Sequence, residues 1–222
     1  MTDFCRAGTA IGRRTILRAG LGALGSPLLQ SCAGLLPTIG VAPQIYVLTP
    51  KTTFPATLPT VSKQLLVDRP NAPAEFDTAR IALSHSPTSI DYFADAAWSD
   101  RAPAMLQTLL IESFEQTGHI QAVSRDFAIL RADYLLMSEL RRFEALYAAG
   151  QPQPTILVRL LVRLVKMPER SIIGEALAER RATAAHNTMP AIVEAFDEAL
   201  GGTMKELVEW TLQRMSADAA AR

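Results

Sequence analysis

Residues 155–167 read TILVRLLVRLVKM, and the alternation within this stretch decides the fold. One set of alternate positions is wholly apolar, whereas the other set includes Arg159 and Arg163. The apolar set is Ile156, Val158, Leu160, Val162 and Leu164. Successive side chains of a β-strand point to opposite faces, so the stretch predicts a strand with one face on a core and arginines on the other. We expect Glu139 and Arg141 to pair with these arginines from a neighbouring strand, at about 0.2–1 kcal/mol for each pair.

The segments on either side of this stretch also have strand patterns. Residues 133–143 precede it across the loop AAGQPQP (148–154), and residues 171–178 follow it across the turn MPER (167–170). Connections as short as these join neighbouring antiparallel strands. The three segments therefore predict a long meander.

The chain before residue 133 predicts short strands around one helix. After Ser99 the apolar spacing becomes helical, with Asp100 as the expected cap and Pro103 in the first turn. Gly118 is expected to end this helix. The strand-like runs, which are rich in β-branched and aromatic residues, are 44–50, 62–68, 80–84, 89–94 and 120–123.

A second, longer helix is predicted from Thr188 to Met215. Thr188 suits the N-cap and Pro190 the first turn, and apolar residues recur every three or four positions. Gly201 and Gly202 weaken this helix by about 1 kcal/mol each and indicate a bend or close packing. The order of strands, helix, strands and helix predicts an α+β fold: an antiparallel or mixed β-sheet with two main helices packed on one face.

Residues 1–31 have the organisation of an export signal peptide. Arg13 and Arg14 lie in a positively charged region, and an apolar run from Ala19 to Leu29 follows. The run is too short to cross a bilayer, which takes about 20 apolar residues. Arg13 and Arg14 also resemble a twin-arginine export signal, and the general secretory route stays open as the alternative.

The end of this segment, Leu29-Gln30-Ser31-Cys32, resembles the lipobox of bacterial lipoproteins. In those proteins the signal is cut before the Cys, here between Ser31 and Cys32, and the Cys then carries acyl chains such as palmitate. Cys5 leaves with the signal, so no internal disulfide is possible in the mature chain. We expect residues 32–43 to be a lipidated flexible tether to the membrane. Ala33 after the Cys resembles an outer-membrane address, which would leave the domain facing the periplasm.

The remaining chain is expected to form a single domain of residues 44–216, with a disordered tail at 217–222. Beyond residue 31 it carries 18 basic and 21 acidic residues of the 22 and 22 in the whole chain. This small negative excess offers no basic face to nucleic acid, so we expect no nucleic-acid partner.

The residue types that catalyse reactions or hold cofactors form no recognisable site. His85, His119 and His186 have no second His or Cys at metal-ligand spacing. Ser84 and His85 are neighbours on a predicted strand and point to opposite faces, and there is no G-x-S-x-G motif. A glycine-rich phosphate loop is also lacking. We therefore predict that the protein is not an enzyme and uses neither a metal nor a cofactor.

Two tryptophans are candidates for contact with other molecules. Trp98 precedes the first helix and Trp210 lies late in the second. Tryptophan is enriched in interface hot spots, so both are candidate partner or lipid contacts. Burial in the core is the alternative for each.

The order of several short strings along the chain carries a family resemblance. The strings are Gln44–Pro50, Asp77–Leu83, Tyr92, Ala96–Ser99, Ala132–Leu136, Phe143-Glu144 and the helix Thr188–Met215. Together they resemble the ABC-type transport auxiliary lipoproteins, which include the PqiC-like proteins.

This resemblance implies an accessory protein of an intermembrane phospholipid-transport system. Such systems combine an inner-membrane ABC permease and ATPase with proteins of the MCE (mammalian cell entry) type that bridge the periplasm. The lipoprotein would sit on the outer membrane and dock or position the bridge, without hydrolysing ATP. Two other functions stay open: a periplasmic lipid-binding carrier, and a structural lipoprotein of another envelope assembly machine. A homo-oligomeric ring that matches a symmetric bridge also stays open.

Overall fold

The computed structural model of the protein describes residues 42–125 and 131–221, which form a mixed sheet of eight strands with two helices. This arrangement confirms the predicted α+β class. In chain order the elements are β1 (Gln44–Tyr46), β2 (Val61–Val67), β3 (Arg80–Ser86), β4 (Ser89–Trp98), α1 (Ala102–Thr117), β5 (Ile120–Ser124), β6 (Tyr134–Leu146), β7 (Thr155–Lys166), β8 (Ser171–Thr183) and α2 (Met189–Ala220).

Strand β6 organises the sheet because it is long enough to pair with three other strands. One edge of β6 pairs antiparallel with β7 along its whole length, and β8 in turn pairs antiparallel with β7. The other edge is shared. Its first residues pair in parallel with β2, and its last residues, Ala145 and Leu146, pair in parallel with β3. Strand β5 extends β2, while β4 and β1 extend β3. The sheet therefore has two short arms, one of β2 and β5 and the other of β3, β4 and β1. Both arms are attached to the long meander β6–β7–β8.

The apolar face of β7 lies against the helices, as the alternation predicts. Each side chain of its apolar set is at most 2% exposed. Helix α2 packs over β7 and β8, and α1 lies beside α2 and contacts β2 and β5. Both helices therefore cover one face of the sheet, and the arginine-bearing positions of β7 point to the other face.

The ends of α1 confirm two of the three predicted signals. Pro103 lies in the first turn, and Gly118 ends the helix with a left-handed φ of 64°. Asp100, however, is not the cap: the N-cap residue is Arg101, without a side-chain cap bond. The Asp100 carboxylate instead accepts a hydrogen bond from the Arg101 backbone N–H at 2.6 Å, one residue too early to reach the open N–H groups of the helix.

Helix α2 begins after Thr188 as predicted but continues past the predicted domain end at residue 216. It runs to Ala220, so residues 217–220 are helical rather than a disordered tail. The reason is tertiary: the Asp218 carboxylate accepts hydrogen bonds from Lys166 Nζ at 2.9 Å and Tyr134 Oη at 2.7 Å. At Gly202 the prediction of close packing holds, because a Cβ there would lie 3.3 Å from the Arg180 side chain.

Candidate functional site

The export and anchoring residues lie outside the described part of the chain. Arg13, Arg14, Ser31 and Cys32 all precede residue 42, as does most of the tether at 32–43. The signal, the cleavage site and the lipidation site therefore stay predictions.

Trp98 is a core residue, so its reading as a partner or lipid contact is wrong. Its side chain is 2% exposed. The ring centroid lies 5.6 Å from that of Phe143 and 5.1 Å from that of Phe196, with the last pair edge to face. The residue is the end of β4, and this aromatic cluster holds that strand against β6 and α2.

Trp210 lies on the rim between α2 and β8 and keeps part of its surface accessible. A Cβ at Gly174 would lie 3.0 Å from Trp210 Cζ2. The indole therefore packs directly against the Gly174 backbone, in space that any larger residue would fill. Next to it, Arg214 Nε donates a hydrogen bond to the Ile173 carbonyl at 2.6 Å. The same ring lines an open cavity of about 430 Å³ with Arg180 and other polar side chains. Trp210 thus remains a candidate contact.

The face of β6–β7–β8 that points away from the helices is here called the arginine face. Its charged pairs differ from the expected ones. Arg159 pairs with Glu179 and Arg163 with Glu175 on β8, with Arg163 Nε 2.6 Å from the Glu175 carboxylate. Each of these partners is directly opposite in the β7–β8 register.

The expected partners Glu139 and Arg141 instead pair with each other on β6. Arg141 Nε donates to the Glu139 carboxylate at 3.1 Å. The cause is a β-bulge between Leu140 and Arg142, which shifts the β6–β7 register. The shift places Arg142, rather than Arg141, directly opposite Arg159.

One end of the arginine face presents an exposed apolar patch. Met137, Ile172 and Leu177 are 38%, 61% and 50% exposed. Met137 lies opposite Arg163, Leu177 opposite Leu161 and Ile172 opposite Val165, so all three belong to the same face. Large apolar side chains grouped on a surface are typical of interaction sites. We call Met137, Ile172 and Leu177 the apolar patch.

The other end of the arginine face carries a cluster of guanidinium groups. Arg142 on β6 is directly opposite Arg159 on β7, and Arg181 on β8 is directly opposite Leu157. Like charges that lie directly opposite each other on adjacent strands are destabilising. Glu179 accepts hydrogen bonds from Arg159 and from Arg181, the latter at 3.2 Å.

The second carboxylate of this cluster, Glu144, is fully buried. It forms an ion pair with Arg142, and its side chain is 0% exposed. Burial raises the pKa of Glu144 above its ordinary value, Arg142 opposes this rise, and the negative charge of Glu75 adds to it. Glu179 behaves in the opposite way: burial raises its pKa, but the hydrogen bonds from Arg159 and Arg181 outweigh burial and leave the pKa lowered.

These arginines line an open cavity of about 390 Å³, here called the arginine pocket. Its lining residues are Ser84, His85, Ser86, Pro87, Arg142, Leu146, Tyr147, Ala148, Leu157, Arg159 and Arg181. The His85 and Tyr147 rings stack with centroids 4.9 Å apart. Tyr147 Oη donates to Asn187 Oδ1 at 2.7 Å, and burial raises the pKa of Tyr147, so the phenol stays protonated at neutral pH. The pocket therefore presents guanidinium and hydroxyl groups beside apolar side chains.

The histidines do not come together in a shared site. Thr60 Oγ1 lies 3.0 Å from His119 Nδ1 at the start of β5, whereas His85 lies in the arginine pocket. Within residues 42–125 and 131–221, no three His, Cys, Asp or Glu side chains are placed to hold a metal ion. In the same residues, neither helix combines the length and the hydrophobicity that crossing a membrane requires.

The sequence that forms this fold matches a known family. The sequence profile of the ABC-type transport auxiliary lipoprotein component family matches residues 46–208, which includes nearly all of the sheet and most of α2. The chain belongs to this family. A transport accessory is the class of protein that the family description gives.

Individual proteins resemble this chain in sequence or in fold. Protein XCC0632 from Xanthomonas campestris has a crystal structure with a TM-score of 0.75 and 31% identity, covering 80% of this chain and 99% of that one. The hypothetical protein CT253 from Chlamydia trachomatis, at 8% identity and a TM-score of 0.51, covers 71% of this chain and 99% of that one, and shares the fold alone. An uncharacterized protein of Bradyrhizobium diazoefficiens, bll6063, is 30% identical over 164 residues. That match covers 74% of this chain but only 43% of bll6063, so the chain spans less than half of this relative.

Sequence reasoning missed the arginine cluster although one signal for it was present. It identified Arg159 on this face but did not identify Arg142, Arg181 or Glu144 as members of the same cluster. On β6 the buried positions Leu140 and Phe143 are three residues apart, which breaks the period of two and marks the bulge. The partner positions on β8 depend on register, which the local pattern does not contain.

Proposed function

We propose that the protein is the outer-membrane-anchored, periplasm-facing accessory lipoprotein of an ABC/MCE-type phospholipid transport system. In this role it docks or positions the periplasm-spanning MCE-type protein and acts on the ABC permease complex directly or through that protein. The observation that carries the proposal is the family match over residues 46–208. The lipobox-like Leu29-Gln30-Ser31-Cys32 precedes the matched region and supplies the expected anchor.

The apolar patch supports a docking role. Exposed apolar side chains supply the buried centre of an interface, and surrounding charges set orientation and exclude wrong partners. Met137, Ile172 and Leu177 lie beside the Arg163–Glu175 ion pair and so provide both elements. A membrane anchor raises the effective concentration of such a surface at its partner, which makes a weak contact sufficient.

The packing between β6 and α2 favours docking over a carrier that holds its lipid at that position, since such a carrier needs a cavity there. In this protein the centroids of Phe143 and Phe196 are 5.0 Å apart, and Trp98 packs on both rings. Side chains thus occupy the space between β6 and α2, at the close packing typical of protein interiors.

The test is a mild-detergent pull-down of the tagged protein from its own membranes, with mass spectrometry of the partners and of the N-terminal peptide. An MCE-type protein or permease in the eluate, together with an acylated Cys32, is the expected result. An acylated Cys32 with unrelated envelope proteins would overturn the assignment to this transport system. An N-terminal peptide without acylation would overturn the anchor.

A pair of matched variants locates the docking surface in the same experiment. Leu177→Asp places a charge in the apolar patch and is expected to reduce recovery of the partner about tenfold or more, since burying an unpaired charge is costly. Val47→Asp changes an apolar residue that is more exposed than Leu177 and follows β1, away from the patch, and is expected to leave recovery unchanged. Equal recovery with both variants would exclude the apolar patch.

A further inference from the structure

The arginine pocket has more positive than negative charge in contact with it. Three guanidinium groups, those of Arg142, Arg159 and Arg181, line the pocket. Two carboxylates contact them, and Glu179 is shared by two arginines. Glu75, which acts electrostatically on Glu144, is not among the lining residues. One guanidinium charge is therefore left without a carboxylate of its own among the groups in contact.

The arrangement of the strands holds these like charges together. Arg142 and Arg159 are directly opposite on adjacent strands, where Cβ atoms are about 5 Å apart. Arg163, four residues along the same face of β7, lies opposite Met137 instead and has Glu175 to itself. A pair of facing arginines costs stability, and such costs are typical of functional positions.

The shape of the pocket suits a small anion with an attached group. A cavity of about 390 Å³ falls in the range of small-ligand sites. Guanidinium groups from three strands can donate hydrogen bonds from several directions. This arrangement suits the three free oxygens of a tetrahedral phosphate better than the two oxygens of a planar carboxylate. Leu146 and Leu157 supply apolar surface beside the guanidinium groups.

We propose that the arginine pocket binds a phosphate ester, with its oxygens on Arg142, Arg159 and Arg181. The ester is either a phospholipid whose headgroup is a phosphomonoester, as in phosphatidic acid, or a soluble phosphomonoester, since both present a phosphate with three free oxygens. Arg159 and Arg181 both pair with Glu179, so their guanidinium groups turn from this carboxylate to the phosphate when the ligand enters. Along the arginine face the site begins at the Arg159–Glu179 pair, two residues beyond Leu177, and extends away from the apolar patch. The proposal does not depend on the docking role, because no residue of the apolar patch lines the pocket.

The test uses the full chain in a non-ionic detergent and isothermal titration calorimetry with three probes. The probes are dihexanoyl phosphatidic acid for the lipid source, glycerol 3-phosphate for the soluble source, and hexanoate as a carboxylate of similar apolar size. Binding of either phosphate probe at least about tenfold tighter than hexanoate supports the proposal, and the tighter phosphate probe identifies the source. Absence of phosphate binding at millimolar concentration, or hexanoate binding as tight, overturns it.

Two variants and a matched control assign the binding to this pocket. Arg159→Gln and Arg181→Gln are each expected to weaken phosphate binding about tenfold or more. Arg163→Gln is the control, because Arg163 lies on the same face of the same strand, is equally exposed and also pairs with a β8 glutamate. It is expected to bind within about twofold of the unmodified protein. An equal loss in all three variants overturns the proposal. Arg181 is more than half exposed, so Arg181→Gln keeps the test valid if Arg159→Gln impairs folding.

Discussion

Asp197 of α2 accepts two hydrogen bonds from Thr49, one from the backbone N–H at 2.6 Å and one from Oγ1 at 2.7 Å. Thr49 follows β1, a strand of three residues that pairs only with β4 among the described strands. A strand this short has few ladder bonds of its own. The contact with Asp197 therefore fixes the first part of the described chain to the last helix, 148 residues later in the chain.

Asp197→Ala is expected to lower the free energy of unfolding by about 1–2 kcal/mol, because two hydrogen bonds to a partly exposed charged group are lost. Urea denaturation followed by circular dichroism measures the change. Glu198→Ala is the control, since Glu198 is exposed on the next position of the same helix. Surface changes of this kind stay within about 0.5 kcal/mol. Equal losses in the two variants would show that the Thr49 contact does not contribute.

Replacement of the two tryptophans is expected to lower the free energy of unfolding by different amounts. Trp98→Ala leaves a cavity among Phe143 and Phe196 and should cost about 3–5 kcal/mol. Trp210→Ala removes a ring that is only partly buried and should cost about 1–2 kcal/mol. Urea midpoints of both variants provide the comparison. A loss for Trp210→Ala equal to that for Trp98→Ala would place Trp210 in the core and remove it as a candidate contact.

Two glutamates of the arginine face should have opposite effects on the pH dependence of stability. The pKa of Glu144 is raised in the folded protein, so its favourable contribution is present below the unfolded pKa and is lost as pH rises through the folded pKa. The pKa of Glu179 is lowered, so its contribution is present above the unfolded pKa and is lost as pH falls. Denaturation of Glu144→Gln and Glu179→Gln between pH 3 and pH 8, relative to the unmodified protein, tests this.

The expected outcome is that Glu144→Gln gains stability relative to the unmodified protein as pH rises above the ordinary glutamate pKa of about 4.3. Glu179→Gln is expected to lose stability over the same range. Parallel curves for the two variants would contradict the assigned shifts. The unmodified protein serves as the reference at each pH.

Cys32→Ala is expected to leave a folded protein that no longer fractionates with the outer membrane. The reason is that the acyl chains on Cys32 supply the membrane affinity, at about 0.8 kcal/mol for each buried CH₂. Cell fractionation and circular dichroism measure the two properties. Cys5→Ala, which changes the other cysteine of the chain, should fractionate normally. Normal outer-membrane retention of Cys32→Ala would refute lipid anchoring at this residue.

The elements that follow from local patterns were predicted from the sequence. The alternation in β7 identified its buried face, and Gly118 identified the end of α1, because each signal depends on residues next to it in the chain. The features that depend on distant residues were not predicted. Helix α2 extends beyond residue 216 because Asp218 binds Lys166 and Tyr134, and nothing in the sequence around Asp218 shows this.

Within the arginine pocket, too, the residue set by a local pattern was predicted and the residues set by strand pairing were not. Arg159 was identified on the exposed face of a strand, which is a local property. Its neighbours Arg142 and Arg181 depend on a bulge in β6 and on the register of β8, which are properties of strand pairing. The sequence left Trp98 open between the core and a partner contact for the same reason, since a tryptophan at a strand end has the same local pattern whether it faces a core or solvent.

The pairing of β6 with both β2 and β3 has a consequence for the order in which the sheet can form. Strands β2 and β3 pair with β6 over separations of about 60–70 residues along the chain. If the chain crosses the inner membrane unfolded and N-terminus first, the β3–β4 hairpin can form early. The edge of β2 that receives β6 then stays unpaired until Leu136 has emerged, and the edge of β3 stays unpaired until Leu146 has emerged. Unpaired strand edges promote aggregation, so this interval is when the chain is most prone to aggregate.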